Sequence, residues 1–410
     1  MTYIKKQMRY LLIFIFPIFL LGCASNEENG VYNLDSDLSN IVDTIEDYEV
    51  IVLAEPTHAS SDIDEIFIKL ITQLTKDGDY NVVGLETSSA ELEYYLNFYD
   101  ESNLDIVRNE SVMEKYRQPN FSSLFKKHWN NELSVEGIDW VPTVYNQTTD
   151  NTHLLENIYQ DIKKSNIENA EDFKNKEIKL REFTSRMIFN DEEYIDYDEV
   201  DSYLNFYKNL KNSSSYEDLD PHSKKFINHR IDVLQNPLSK EYLTGLKITN
   251  PNQDYFSRRG IGMYEKINNL VKEGNKVIVW VHNWHALKNP GKINIPSEEG
   301  QISRPTDHYS LGYLLNQSNL KTFVIGTYFN SAENFSSIYL NNEDLEKITD
   351  EKFLEAQLSY YQESPLFINL EQHKLLNNRY NAYDEGFIGT LENNSMVLSI
   401  LKKSLIKYIL

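Results

Sequence analysis

The sequence Glu49-Val-Ile-Val-Leu-Ala-Glu-Pro-Thr-His-Ala-Ser60 holds a strand and a turn that carries two ionisable side chains. Residues 50–53 form a short apolar run of the kind found in buried parallel strands. Glu55 and His58 follow directly, and Pro56, which has no backbone N–H, ends the strand pairing. Because open α/β sheets bind ligands beyond the carboxyl ends of their strands, this turn is the first candidate for a functional site.

A helix is predicted to follow this turn. Ser60 or Ser61 can cap its start, and Gly78 can end it. Between them, apolar residues recur at spacings of three and four, as on the buried face of an amphipathic helix: Ile63, Ile66, Phe67, Leu70, Ile71 and Leu74. Taken alone, the turn has a simpler interpretation, in which Glu55 caps the helix and His58 lies on the surface.

Two further strand ends favour a shared site instead. Residues 81–85 form an apolar run that ends at Glu86, and residues 133–138 form another that ends at Asp139. Helical segments separate the three runs, and the order β-α-β-α-β is typical of a parallel sheet with right-handed crossovers. A single acid at a strand end is often a helix cap, but three on successive strands are expected to line one crevice.

Residues 150–250 have a different pattern. Strand-like runs are absent, and apolar residues follow helical spacing in three stripes that begin near Leu154, Tyr203 and Phe226. This segment is predicted to be a helical insertion that forms a lid over the crevice. His222 and His229 within it are interpreted as packing or surface histidines rather than ligands.

The α/β pattern resumes after the insertion. Residues 276–281 are the most strand-like run in the chain, and His282 and His285 follow, with Trp284 between them. Two histidines at this spacing beyond a buried strand have few purely structural explanations. Residues 321–329 predict a fifth strand, and residues 395–410 predict an amphipathic helix that packs on the sheet.

The predicted fold is therefore α/β, with a mostly parallel sheet wound by helices and a helical insertion between the third and fourth core strands. The predicted divisions are a lipoprotein signal peptide (1–23), a tether (24–45), the first part of the core (46–149), the insertion (150–250) and the second part of the core (251–410).

The first 23 residues have the features of a targeting segment. Lys5, Lys6 and Arg9 precede an apolar run too short for a comfortable membrane span, and Leu20-Leu-Gly-Cys23 resembles the bacterial lipobox. This predicts that Cys23 becomes the N-terminus and carries lipid, including palmitate, which would anchor the protein to the extracytoplasmic face of the cell membrane. Cys23 is also the single cysteine, which excludes an intrachain disulfide and a cysteine metal site.

The charge balance limits the partners. The chain has 40 Lys+Arg against 63 Asp+Glu, for a net charge of −23. Such acidity disfavours a nucleic acid or another polyanion as a partner and is compatible with a small-molecule substrate.

The ordered motifs resemble the erythromycin esterase family. Ala54-Glu-Pro-Thr-His58 is similar to the Gly-Glu-x-Thr-His-Gly signature of that family, and the companion motifs follow in order: Leu85-Glu86, Arg259-x-x-x-Met263, His282-Asn-x-His285 and Ser310-Leu-Gly312. The resemblance implies hydrolysis of a carboxylic ester or lactone by direct attack of water. The sequence departs from the family in Ala54 and Ala59, which replace two signature glycines, and in Gly260, which stands where an aspartate usually follows the arginine.

The chemistry can also be argued from the residues. Ester hydrolysis needs a base for water, an orienting group for that base and positive charge for the oxyanion. His58 is the candidate base, with Glu55 or Glu86 to orient it. His282, His285 and Arg259 can polarise the carbonyl group. Asp139 and Trp284 are candidate substrate contacts, and no Gly-x-Ser-x-Gly elbow suggests a serine nucleophile.

Two alternatives stay open at this level. The same histidines and carboxylates could hold a divalent metal for hydrolysis, although their spacing matches no standard metal motif, so no cofactor is the first expectation. The chain could also be an inactive, lipid-anchored binding protein that kept the pocket.

Overall fold

The computed structural model describes residues 31–33, 38–55, 61–141, 153–168, 170–189, 196–242, 251–288, 290, 309–329 and six short strands between residues 332 and 401. The strands in these parts are β1 (Val31–Asn33), β2 (Val50–Glu55), β3 (Val82–Ser88), β4 (Ser134–Asp139), β5 (Val277–His282), β6 (Thr322–Phe329), β7 (Ala332–Phe335), β8 (Glu343–Leu345), β9 (Leu366–Asn369), β10 (Arg379–Ala382), β11 (Phe387–Thr390) and β12 (Met396–Leu401).

Eight of these strands form the central sheet. Their spatial order is β1-β9-β12-β6-β2-β5-β3-β4, and the six from β12 to β4 are parallel to one another. The strands β9 and β1 add antiparallel pairs at one edge. Two separate two-stranded sheets are formed by β7 with β8 and by β10 with β11. The mostly parallel sheet predicted from the sequence is confirmed.

The helices connect and cover these strands. They are α1 (Leu38–Ile45), α2 (Ser61–Asp77), α3 (Ser89–Phe98), α4 (Leu104–Glu110), α5 (Ser122–Trp129), α6 (His153–Lys164), α7 (Ala170–Phe189), α8 (Tyr197–Lys211), α9 (Pro221–Gln235), α10 (Pro251–Lys272), α11 (Asn283–Ala286) and α12 (Leu311–Gln317). The helices α6 to α9 lie between β4 and β5 in the chain, which confirms a helical insertion between the third and fourth core strands.

Strand residues alternate between two cores because successive side chains in a strand point to opposite faces. Ile51 and Trp280 belong to a large core with α2, α3 and the insertion helices. Val52 and Val279 belong to a smaller core with α10 and α12. The central strands are therefore apolar on both faces, which explains the continuous apolar runs in the sequence.

A buried ion cluster joins the insertion to α3. Arg230 Nη2 of α9 lies 2.6 Å from Glu177 Oε1 of α7 and 2.5 Å from Glu91 Oε1 of α3. Arg181 Nε lies 3.2 Å from Glu177 Oε1, and Tyr207 of α8 donates to the same carboxylate. Burial by itself raises the pKa of Glu177, but Arg230 and Arg181 lower it to about 2. Since α3 begins directly after β3, this cluster fixes the insertion near the carboxyl end of the sheet.

Two predictions at the ends of the chain are wrong. The predicted tether 24–45 includes α1, where Ile41, Val42 and Ile45 are fully buried at helical spacing, and β1 is paired with β9. The predicted C-terminal helix begins instead with strand β12, which runs parallel to β6. Its sequence Met-Val-Leu-Ser-Ile-Leu is rich in residues that favour strands, and the open edge of β6 offers a partner.

Some predicted features lie outside the described residues. These are Cys23 with the signal segment, and His58. Within the described part of the chain, no helix combines the length and apolarity needed to cross a membrane.

Gly260 is explained by a close backbone contact. A Cβ atom at this position would lie 2.0 Å from the Tyr309 carbonyl oxygen, far inside van der Waals contact. The backbone before α12 thus lies directly against α10, in space that a side chain at position 260 would need. The aspartate that usually follows the arginine in the resembled motif would not fit here.

Gly260→Ala is expected to lower the free energy of unfolding by about 1–3 kcal/mol, because overpacking against a backbone carbonyl forces the chain to move. Alanine is a better helix former than glycine by about 1 kcal/mol, so any net loss of stability must come from the contact with the Tyr309 carbonyl oxygen. Denaturant unfolding measures it, with the exposed Asn269→Ala on the same helix as the control. If Gly260→Ala were as stable as wild type, α10 and the backbone before α12 would be able to move apart without a cost in stability.

Candidate active site

Ionisable side chains from neighbouring strands converge at the carboxyl edge of the sheet. Glu55 at the end of β2 is paired in register with His282 at the end of β5, and β5 lies between β2 and β3, which carries Glu86. Together with other buried groups in contact they form the charge cluster, defined here as Glu55, Glu86, Lys115, Asp139, Arg259, His282 and His285.

Glu86 is the centre of the charge cluster. Its Oε2 atom accepts hydrogen bonds from Lys115 Nζ and from the His282 backbone N–H, both at 3.0 Å. Its Oε1 atom lies 2.7 Å from Arg259 Nη2 and 3.2 Å from His285 Nε2. A carboxylate offers about four lone-pair positions, so these four donors saturate Glu86. The side chain can orient its neighbours but has no lone pair left to take a proton from water.

The surroundings of Glu86 hold it in the ionised form. Burial by itself raises the pKa of Glu86, but Lys115, His285 and Arg259 together hold that pKa well below its usual value. The ionised carboxylate can therefore accept hydrogen bonds from all of its neighbours but donates none.

Lys115 belongs to the charge cluster and was missed by the sequence analysis. It lies in a short 3₁₀ turn, Glu114–Tyr116, in the irregular segment between α4 and α5. The turn is tied to β3, because the Met113 backbone N–H donates to Thr87 Oγ1 at 3.2 Å. Lys115 is only 2% exposed, although lysine is almost never buried without a partner. In the sequence Lys115 lies between Glu114 and Tyr116, with Arg117 next, so the local pattern gives no signal that this lysine is buried.

Tyr116 and Trp280 support the two glutamates. The Tyr116 hydroxyl donates to the Trp280 carbonyl oxygen at 2.8 Å and accepts from the Glu86 backbone N–H at 3.2 Å. The Trp280 indole N–H donates to Glu55 Oε2 at 3.2 Å. Burial raises the pKa of Tyr116 well above its ordinary value, so it stays a neutral hydrogen-bonding group. The aromatic core thereby fixes Glu55 and the backbone of Glu86.

Arg259 joins Glu86 to the next strand. Its Nε and Nη2 atoms lie 2.8 and 2.6 Å from Asp139 Oδ2, and Nη2 also contacts Glu86. The helix that carries Arg259 is held by Trp140, whose indole N–H donates to the Arg258 carbonyl oxygen at 3.1 Å. The indole lies directly against Gly262, where a Cβ would be 2.4 Å from its ring. These contacts favour a positioning role for Arg259 and Asp139.

His282, at the end of β5, and His285, in α11, have different tautomers. His282 Nδ1 accepts the Trp284 backbone N–H at 3.2 Å, so the neutral ring carries its proton on Nε2. His285 Nε2 faces the Glu86 carboxylate, which only accepts, so Nε2 is protonated and the lone pair of the neutral ring lies on Nδ1. His282 thus has the form of a hydrogen-bond donor and His285 the form of a base.

The predicted site residues His58 and Trp284 are not members of the charge cluster as defined above. His58 lies outside the described residues, so its partners are not part of this geometry. Trp284 is 6% exposed in the short helix α11, and its contact with a substrate stays a prediction. Within the described residues, no group of three or more His, Cys, Asp or Glu side chains is arranged to hold a metal.

His222 and His229 of the insertion contact residues that are not members of the charge cluster. His222 packs edge-on against Tyr94, with ring centroids 6.3 Å apart. His229 Nε2 lies 2.6 Å from Ser89 Oγ at the start of α3. Burial, with Arg230 and Lys266 nearby, lowers the pKa of His229 to about 3, so its ring is neutral at physiological pH. A packing role fits both side chains.

No protein-family model matches the sequence, and no curated protein sequence matches it significantly. Solved structures do match the fold. A Bacillus cereus protein superposes with a TM-score of 0.56 at 14% identity over 92% of this chain and 93% of its own. A succinoglycan biosynthesis protein superposes with a TM-score of 0.57 at 12% identity, over 92% of this chain and 94% of its own. A mutant erythromycin esterase in its open conformation superposes with a TM-score of 0.53 at 14% identity, over 90% of this chain and 95% of its own. The chain therefore has the fold of an erythromycin esterase, and the resemblance noted in the sequence is confirmed at the level of the fold.

Proposed function

We propose that this protein hydrolyses a carboxylic ester or lactone of a small molecule by histidine-activated water. The observation that carries the proposal is the Glu86–His285 pair in the charge cluster. A buried carboxylate holds Nε2–H of an imidazole, which is the arrangement that orients a general base and stabilises its protonated form. The shared fold with an erythromycin esterase supports the same reaction class.

The proposal assigns roles to three histidines. His58, three residues after Glu55 in the sequence, is the base that removes a proton from water, and His285 is the alternative base. His282 donates from Nε2 to the carbonyl oxygen as negative charge develops there. Glu86, Arg259 and Asp139 hold these groups in place, because preorganised charges stabilise a transition state without moving. Trp284 is proposed to contact the substrate.

Water activation is proposed to need no metal. The oxygens of Glu86 already accept from a lysine, an arginine, a histidine and a backbone N–H, so binding of a metal would have to displace a built-in donor. His/carboxylate sets suit zinc only when their lone pairs point at one open position.

A substrate screen tests the reaction and its metal requirement together. The purified protein is assayed on aryl esters, alkyl esters and macrocyclic lactones, before and after dialysis against a chelator. We expect turnover of at least one ester or lactone, and we expect its rate to stay within about twofold after dialysis. A catalytic metal would behave differently, because each loss of about 1.4 kcal/mol of transition-state stabilisation lowers the rate tenfold. Activity lost on chelation and restored by zinc would establish the metal-dependent alternative. No turnover of any ester, with measurable ligand binding, would establish the binding-protein alternative.

The location at the membrane is a proposal that rests on Cys23 and the segment before it. We expect Cys23→Ser to move most of the protein from the membrane fraction to the soluble fraction, because a thioether to diacylglycerol cannot form. Each buried CH₂ of a lipid chain contributes about 0.8 kcal/mol to membrane binding, so the loss of the chains is decisive. Fractionation with mass spectrometry of the N-terminus measures it. Unchanged membrane association without lipid on wild type would contradict the assignment.

A further inference from the structure

Two buried carboxylates from different strands meet at one ammonium group. Lys115 Nζ lies 3.0 Å from Glu55 Oε1 and 3.0 Å from Glu86 Oε2. The three side chains are 1 to 3% exposed, so bulk water and salt do not screen them. Two carboxylates that share a dry site cannot both stay ionised without a cation between them. Three kinds of cation can fill that position, namely a proton, a metal ion or a side chain.

We propose that Lys115 is the resident cation of this site, and that its ammonium group does for Glu55 and Glu86 what a bridging divalent metal does in carboxylate metal centres. Its catalytic consequence rests on the function proposed above, in which Lys115 is a positioning residue that does not touch the substrate. The structural part of the proposal stands independently of any reaction.

The groups around Lys115 stabilise its positive charge. Its Nζ atom lies 4.8 Å from the centroid of the Tyr116 ring, so an aromatic face adds to the two carboxylates. Burial by itself lowers the pKa of Lys115, but Glu55 and Glu86 raise it well above its ordinary value. The ammonium group therefore keeps its proton throughout the physiological pH range.

The fixed charges of the cluster determine which of its groups can accept a proton. Within the charge cluster, three carboxylates face two permanent cations, Lys115 and Arg259. The cluster therefore carries one net negative charge when both of its histidines are neutral, and one protonated imidazole makes it neutral. Glu86 stays ionised because its cationic neighbours hold its pKa well below the usual value, so a histidine is the proposed acceptor of the proton from water. A metal between Glu55 and Glu86 would meet an ammonium group in the same place.

The test removes the charge and asks what replaces it. In Lys115→Met, measured in metal-free buffer at pH 7, we expect the infrared spectrum to show about one added protonated carboxylic acid per molecule, because the pair cannot remain doubly ionised. Lys115→Arg keeps the charge and should show no such band. Adding Glu55→Gln to Lys115→Met should remove the band. Lys127→Met, at a surface pair with Glu132, is the control that changes nothing.

Stability gives a second readout if Lys115→Met folds poorly. Breaking a buried ion pair from one side is strongly destabilising, and we expect a melting temperature lower by on the order of 5–10 °C. The double variant Lys115→Met with Glu55→Gln should recover part of that loss, which a pure packing role of the lysine stem would not allow.

The outcomes separate the two proposals. A folded Lys115→Met with no added acid band, or no recovery in the double variant, would overturn the resident cation. A rise in the melting temperature of wild type with MnCl₂ that Glu55→Gln abolishes would also overturn it, since a metal would then bind beside the lysine. If the acid band is found and no ester is hydrolysed, the resident cation stands and the hydrolase proposal fails.

Discussion

Glu86→Gln is expected to reduce turnover by about 10²–10⁴-fold and to lower the free energy of unfolding by about 3–5 kcal/mol. The amide is neutral and presents NH₂ donors to a position where Lys115, Arg259 and His285 all donate. At least one of these donors must then lose its acceptor in a buried place. The His285 ring would also lose the carboxylate that fixes its tautomer, and a wrong tautomer removes its basic nitrogen.

The stability effect should depend on pH in a defined direction. The pKa of Glu86 is held well below its usual value, so the ionised carboxylate stabilises the fold above the usual pKa of glutamate. That contribution is lost as the pH falls through the lowered pKa. The difference between wild type and Glu86→Gln should therefore be largest at neutral pH and should shrink in strong acid.

Denaturant unfolding and steady-state kinetics measure the two effects, with activity expressed per folded molecule. The matched control is Glu136→Gln on β4, a half-buried glutamate whose Oε2 lies 3.2 Å from Lys266 Nζ. A partly exposed pair of this kind contributes about 1 kcal/mol or less, and it lies outside the charge cluster. Equal stability and turnover of Glu86→Gln and wild type would show that Glu86 is not the centre of the site.

The strand-end residues could be located from the sequence because their position follows from a repeated pattern. Apolar runs of strand length, each followed by an acid or a histidine, place Glu55, Glu86, Asp139 and His282 at one edge once the sheet is parallel. The register of β2 with β5 then brings Glu55 beside His282 without further information. Local sequence and sheet topology were sufficient for this part of the site.

Lys115 could not be located in this way, because it lies in a short 3₁₀ turn whose position is set by tertiary contacts. The turn reaches the site through the hydrogen bonds of Met113 and Tyr116 to the ends of β3 and β5, and no periodicity in the sequence encodes them. The strand Met396–Leu401 was mistaken for a helix for a related reason. A short apolar run is compatible with both the helical and the strand periodicity, and pairing with β6 determines that this segment is a strand.

His58→Ala is expected to be the most severe single change, with turnover lowered by about 10²–10⁴-fold and the fold retained. His58 follows Glu55 by three residues in the sequence, and Glu55 ends β2 at the edge of the sheet where Glu86 and His282 lie. Glu86 already accepts from four donors, and Glu55, the nearer of the two glutamates in the sequence, is the proposed carboxylate that orients His58.

The kinetics of four histidine variants distinguish the possible bases, with folding checked by circular dichroism. His58→Ala and His285→Ala should both lower kcat, and His58→Ala should lower it more. His222→Ala, whose ring packs against Tyr94 in the insertion, should stay within about twofold of wild type, because it removes no group of the charge cluster. His229→Ala should behave in the same way for each folded molecule. If folded His58→Ala retains turnover within a few-fold and His285→Ala does not, the base is His285, whose Nε2 already faces Glu86 and whose Nδ1 carries the lone pair.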